Sequence, residues 1–111
     1  MIVKTANVVI DCQALVHNFN LIKKLAPSTK TLAILKANAY GHGLEIIAKA
    51  LPLADAFAVA RIDEALALRA AGITQPIMLL EGVFSPEDLA ILAVNDLQTT
   101  VHSLEQLDAI C

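Results

Sequence analysis

Leu32-Ala33-Ile34-Leu35-Lys36-Ala37-Asn38-Ala39-Tyr40-Gly41-His42-Gly43 is the stretch on which the fold turns. It opens with four consecutive apolar residues rather than an alternating pattern, which suits a strand covered on both faces, as in a parallel sheet. Strand side chains alternate, so Leu32, Ile34 and Lys36 share one face, and Ala33 and Leu35 the other. Lys36 therefore stands at the carboxyl end of a buried strand, where ligands bind in barrels and open α/β sheets alike. Two glycines follow, and the pattern predicts a helix from about Leu44.

Working outward, Leu32–Lys36 is followed by three more short runs, Ala56–Ala60, Ile77–Leu80 and Gln98–Val101, which read as strands. Their starts lie 24, 21 and 21 residues apart. Helical patterns separate them. Leu15, Phe19, Ile22 and Leu25 step by four, three and three. The segment from Ile62 stops at Gly72 with Pro76 beyond. Ser85-Pro86-Glu87-Asp88 reads as a cap, a proline at the first helical position and acids at a helix start. Asn7–Ile10 reads as an additional early strand, with Asp11 capping the helix after it. Alternating β and α elements predict an α/β fold with right-handed crossovers. A doubly wound sheet and a (β/α)₈ TIM barrel compete; a barrel takes about 250 residues, so 111 would hold only its amino-terminal part, about four strands. Ser103-Leu104-Glu105-Gln106 is a capping box whose helix meets the end of the sequence at Cys111 without a stop signal. A last strand at Gln98–Val101 would leave a long apolar edge. Both features lead to the expectation of a truncated chain.

The composition narrows the function classes. Hydrophobic residues make up 57% and aromatics 4%, which excludes disorder, collagen-like repeats and a disulfide miniprotein. A net charge of −3 offers no basic stripe, so no nucleic-acid partner is expected. No apolar run approaches the roughly 18 residues of a membrane span, and Met1-Ile2-Val3-Lys4 lacks a basic n-region followed by a long apolar stretch, so no membrane insertion is expected. Cys12 and Cys111 show no CxxC spacing and read as ordinary thiols in a reducing cytoplasm. The three histidines and scattered acids show no metal-ligand spacing, so no metal is expected.

Lys36 is the candidate catalytic residue. An ammonium partly stripped of water loses part of its preference for the charged form, and the neutral amine attacks aldehydes to form imines. Gly41 and Gly43 let backbone amides approach an anion, and Tyr40 offers a hydroxyl to the same group. Pyridoxal 5′-phosphate needs both, an amine for its aldehyde and donors for its phosphate. Lys36 and Tyr40 are therefore the candidate cofactor residues. Other polar groups read as structural: Arg61 in a solvated cluster with Asp63 and Glu64, His102 at a strand end, His42 in a turn, His17 on the surface.

The run Ile34–Gly43 resembles the pyridoxal-phosphate segment of alanine racemases. The resemblance continues through Ala58–Arg69, Gly72-Ile73 and Pro76–Gly82, and so covers essentially the whole chain. It implies a TIM barrel followed by a β-rich carboxyl-terminal domain, in a homodimer. Residues 1–11 would be a leading segment with the early strand and 12–111 the first half of the barrel, the β domain being absent. It implies that Lys36 holds the cofactor as an aldimine and then serves as one of two acid/base groups in interconverting L-alanine and D-alanine, for cell-wall peptidoglycan or alanine catabolism. In such racemases the opposite base is a tyrosine of the partner subunit. Tyr40 matches instead the phosphate-side tyrosine, and Leu80 an apolar position near the cofactor. The second base, the arginine at the pyridine nitrogen and the later phosphate- and carboxylate-binding residues have no match. The chain alone is therefore expected to be inactive. A noncatalytic pyridoxal-phosphate binder on the same barrel is the alternative, and an inert α/β domain with an incidental lysine is a third reading.

Overall fold

A computed structural model describes residues 5–83 and 85–111; the first four residues of the expected leading segment lie outside the described residues. The elements follow in the order α1 (Cys12–Leu25), β1 (Leu32–Ile34), α2 (Lys36–Tyr40), α3 (Leu44–Ala50), β2 (Ala56–Val59), α4 (Ile62–Ala70), β3 (Ile77–Leu79), α5 (Pro86–Val94), β4 (Leu97–Thr99) and α6 (Leu104–Ile110). The strands are parallel and stand in the order β1-β2-β3-β4. A doubly wound sheet reverses its strand order at a switch point, and this one does not. The fold is the amino-terminal barrel arrangement of four βα units.

The register explains why one face of the sheet is the core. Ala33, Phe57, Ile77 and Leu97 form one row, and Ile34, Ala58, Met78 and Gln98 the next. The first row, with Leu35, Val59 and Leu79, faces the helices and packs with Phe19, Leu44, Ile47, Leu68 and Leu92. Phe57, Val59, Leu68, Ile77 and Leu79 are completely buried, each stabilising the fold by about 1.5–3 kcal/mol. The opposite face is more open, with Leu32 40% and Ile34 38% exposed and Gln98 exposed. Among the described residues, helices cover one face of the strands, and on the other face Ala58 is fully buried while Leu32 and Ile34 are partly exposed.

Strand ends also differ from the sequence reading. The four runs shorten to three or four residues, and β1 stops at Ile34. Single bonds carry the ladder one step further at the carboxyl ends: Leu35 N–H to Ala58 O (2.7 Å), Leu80 N–H to Val59 O (2.8 Å) and Thr100 N–H to Leu79 O (3.0 Å). Among the described residues, Asn7–Ile10 does not pair with the four-stranded sheet, and Val8 and Val9 are 72% and 89% exposed. Branched side chains favour extended backbone, but a strand also needs a neighbour.

Helix boundaries follow local signals. Asp11 caps α1 by accepting from Ala14 N–H at 3.0 Å. Phe19 is buried where α1 packs on α3, while Ile22 and Leu25 are exposed. Gly72, at φ +88°, ends α4, with Ile73 N–H reaching back to Leu68 O at 3.1 Å. Pro86 opens α5, although the Ser85 hydroxyl does not cap it. Ser103 accepts from Gln106 N–H (3.1 Å), while the Gln106 side chain reaches one residue further back, to His102 N–H (2.8 Å).

Candidate active site

Lys36 lies two residues beyond the last residue of β1, half-buried, and opens α2 instead of ending the strand. The chain changes hand immediately after it. Ala37, Asn38, Ala39 and Tyr40 have φ of +54°, +55°, +55° and +56°, four consecutive left-handed residues without a glycine among them. For alanine this conformation costs roughly 1–2 kcal/mol per residue, while asparagine tolerates it better. The turn is therefore held from outside its own preferences.

The holding bonds are visible. Within the turn, Ala39 N–H donates to Leu35 O (2.8 Å), Gly41 N–H to Ala37 O (3.0 Å), His42 N–H to Ala39 O (3.1 Å) and Gly43 N–H to Asn38 O (3.0 Å). His42 Nδ1 stands 2.9 Å from Ala39 O. The Asn38 side-chain oxygen accepts from Leu44 N–H at 2.8 Å and so caps α3. Gly41 and Gly43, at φ +88° and +99°, complete the exit. These bonds overturn one expectation: the amides of residues 41–43 bind carbonyls of the turn and are not presented to an anion.

From α4, Glu64 adds the remaining tie. Its Oε2 accepts from Asn38 N–H at 3.2 Å, and its Oε1 accepts from Ala60 N–H and Arg61 N–H, both at 3.2 Å. Sequence reasoning placed Glu64 in a solvated charge cluster and missed this role. The signal was present: Glu64 sits at the third helical position, where a capping-box acid reaches back to the N-cap amide. Arg61, in place of the usual serine or threonine, disguised it. Arg61 itself pairs with Asp63 (Nε to Oδ1, 3.1 Å) at an exposed position, as a solvated pair.

Lys36, Asn38, Arg61, Asp63, Glu64 and Glu81 line one open cavity of about 570 Å³ at the carboxyl ends of the strands. That volume is within the usual ligand range of about 300–1,000 Å³. A lysine amine in such a cavity fits the aldehyde end of pyridoxal phosphate. The cavity's other cation is the Asp63-paired Arg61, so the acidic lining does not by itself make a phosphate site. Tyr40 lies at the far end of the turn, 60% exposed, its hydroxyl without a hydrogen bond among the described residues.

The other singled-out residues do not converge here. His102 Nε2 stands 2.8 Å from Glu81 O and ties the loop after β3 to the segment after β4. His17 is exposed on α1, and Cys12 and Cys111 are exposed and unbridged. Among the described residues no cluster of potential metal ligands occurs, and no helix is long and apolar enough to cross a membrane.

Comparison with known proteins gives consistent results. The family described as alanine racemase, N-terminal domain, matches residues 10–111. An alanine racemase of Mannheimia succiniciproducens is 56% identical over 108 residues, covering 96% of this chain and 30% of that protein. The alanine racemase structure from Acinetobacter baumannii superimposes with a TM-score of 0.88 at 40% identity, over 91% of this chain and 28% of that one. The alanine racemase of Bartonella henselae, solved with covalently bound pyridoxal phosphate, gives 0.82 at 33% identity, over 89% and 29%. The chain thus spans about 30% of the length of the curated relatives it matches.

Proposed function

The chain belongs to the alanine racemase N-terminal domain family, and from that premise we propose that the protein carrying it interconverts L-alanine and D-alanine with pyridoxal phosphate. The observation that carries this reading is Lys36, at the end of the first barrel strand and on the wall of a ligand-sized cavity. Its amine would hold the cofactor's aldehyde end, and the same amine would serve as the acid/base group that moves a proton at the substrate α-carbon. Pyridoxal phosphate, when bound, supplies the electron sink that lets so weak a base remove that proton. The Tyr40 hydroxyl, free of hydrogen bonds among the described residues, would be available to donate to the cofactor's phosphate.

Inversion needs a second acid/base group on the opposite face of the α-carbon. Tyr40 is the sole tyrosine, and four residues from Lys36 it serves the same side. By resemblance to alanine racemases, that second group is a tyrosine of the partner subunit in a homodimer. The 111 residues alone do not racemise alanine. The whole protein works in the cytoplasm, supplying D-alanine to the cell wall or consuming it.

Borohydride reduction of the whole protein with pyridoxal phosphate, followed by peptide mass mapping, tests the attachment. The cofactor mass is expected on the peptide containing Lys36 and is lost in Lys36→Ala. Chiral chromatography after incubation with L-alanine tests the reaction, with D-alanine expected and a loss of at least about 10³-fold in Lys36→Ala. Trapping without any change in enantiomer ratio would identify a cofactor carrier instead; equal trapping in wild type and Lys36→Ala would remove the assignment.

A further inference from the structure

We infer that Glu64 is a positioning residue, whose carboxylate latches the left-handed turn after Lys36 to the start of α4 and so fixes where the Lys36 amine meets the cofactor. The inference rests on the reading of Lys36 given above. Its basis is the division of labour between two oxygens. Oε1 collects Ala60 N–H and Arg61 N–H where β2 passes into α4, and Oε2 collects Asn38 N–H from the other side of the same cavity. Glu64 is half-buried; its bond from Ala60 N–H is part-buried, and those from Asn38 and Arg61 lie at the exposed rim.

Asn38 is the member of the turn best placed to transmit the constraint. It lies two residues after Lys36 and gives Glu64 its amide. Its side chain caps α3, and its carbonyl accepts from Gly41 N–H and Gly43 N–H. One carboxylate thus joins β2, α4 and, through Asn38, α3 around the lysine. Ala37 and Ala39 have no residue-level reason to be left-handed, so the conformation depends on such outside ties.

Glu64→Gln separates the two functions of the carboxylate. Its one carbonyl oxygen can still serve Ala60 and Arg61, but its NH₂ group, a donor, then faces the Asn38 N–H. The experiment uses the whole protein and pyridoxal phosphate itself. It measures cofactor affinity by visible absorbance, trapping at Lys36 by borohydride, and hydrogen exchange at the Asn38 amide. Glu64→Gln is expected to weaken cofactor binding roughly tenfold and to speed Asn38 exchange by a similar factor, the size of losing one charge-assisted bond at a half-buried site. Adding Ala37→Gly, which removes the steric objection to the left-handed turn, is expected to restore at least half of the lost affinity on a logarithmic scale. Arg69→Lys, a destabilising change at the far end of α4, serves as the stability control and should leave cofactor affinity within twofold.

Wild-type trapping at Lys36 together with unchanged affinity in Glu64→Gln overturns the inference and leaves the proposed function standing. So does an affinity loss in Glu64→Gln that Arg69→Lys reproduces and Ala37→Gly does not relieve. A wild type that traps no cofactor overturns both readings.

Discussion

Helix α4 carries a charged side chain near each end, and the two are used in opposite ways. Glu64, in the first turn, accepts backbone N–H groups from the loops at the carboxyl ends of the strands. Arg69, in the last turn, donates to backbone carbonyls at the amino ends. Nε goes to Asn95 O (3.0 Å), Nη1 to Ile73 O (2.9 Å) and Gln75 O (2.8 Å), and Nη2 to Asp96 O (3.0 Å). Acid first and base last also suits the helix dipole. The two ends differ in the number and length of their bonds. The Arg69 end is fastened by four bonds of 3.0 Å or less, and the Glu64 end by three at 3.2 Å, against a turn that resists its own conformation. In barrels, chemistry occupies the carboxyl ends and stability the amino ends. This single helix carries both: the same kind of charge-to-backbone tie fastens the amino-end loops through Arg69 and the carboxyl-end turn through Glu64.

The largest expected effect tests the tight end. Arg69→Ala strands four carbonyls at once and should cost about 3 kcal/mol in urea unfolding, with cofactor binding per folded molecule unchanged. A cofactor defect as large as that of Glu64→Gln would erase the contrast. Gly82→Ala probes the carboxyl-end loops. Gly82 has φ +81°, and a Cβ there would come within 2.7 Å of Thr100 O and 2.5 Å of the Gln106 side chain. A loss of about 2 kcal/mol is expected, read by the same unfolding measurement. Glu64→Gln should lower unfolding stability by only about 1 kcal/mol, much less than Arg69→Ala, while moving the cofactor readouts. Ala37→Gly in the otherwise unchanged protein should be neutral or stabilising by up to about 1 kcal/mol, against the usual sign for a glycine. A clear destabilisation would show that the turn is not strained.

The smallest effect depends on pH. Asp55 Oδ2 accepts from Thr31 N–H at 2.6 Å and stands 3.6 Å from Lys23 Nζ, joining the approaches to β1 and β2 at the amino ends. The Thr31 amide, and then Lys23, lower its pKa from the ordinary 3.8 despite some opposing desolvation. A carboxylate with a lowered folded-state pKa stabilises the protein above its unfolded value and loses that contribution as pH falls through the folded one. Stability measured from pH 5 downward should therefore fall less steeply below 3.8 in Asp55→Asn than in wild type.

What the sequence disclosed follows the same division. The spacing of the apolar runs, the Asp11 cap and the Gly72 stop are local patterns, and they located the four βα units. Lys36 was legible because a lysine ending an apolar run is conspicuous. The hand of the turn after it was not, since alanine, the majority residue there, has no preference for that conformation and the reasons lie in bonds to distant residues. Glu64 was hidden for the same cause: one of its partners is a backbone amide 26 positions away. Asn7–Ile10 carries a strand-like local pattern, but none of the four described strands pairs with it.

The strand order has a consequence for how the protein is made. Each strand pairs with the one before it, across 24, 20 and 20 residues between Leu32 and Ala56, Phe57 and Ile77, and Ile77 and Leu97. Every new βα unit leaving the ribosome finds its docking edge already synthesised, so this sheet can be laid down in the order of translation, without waiting for a distant segment.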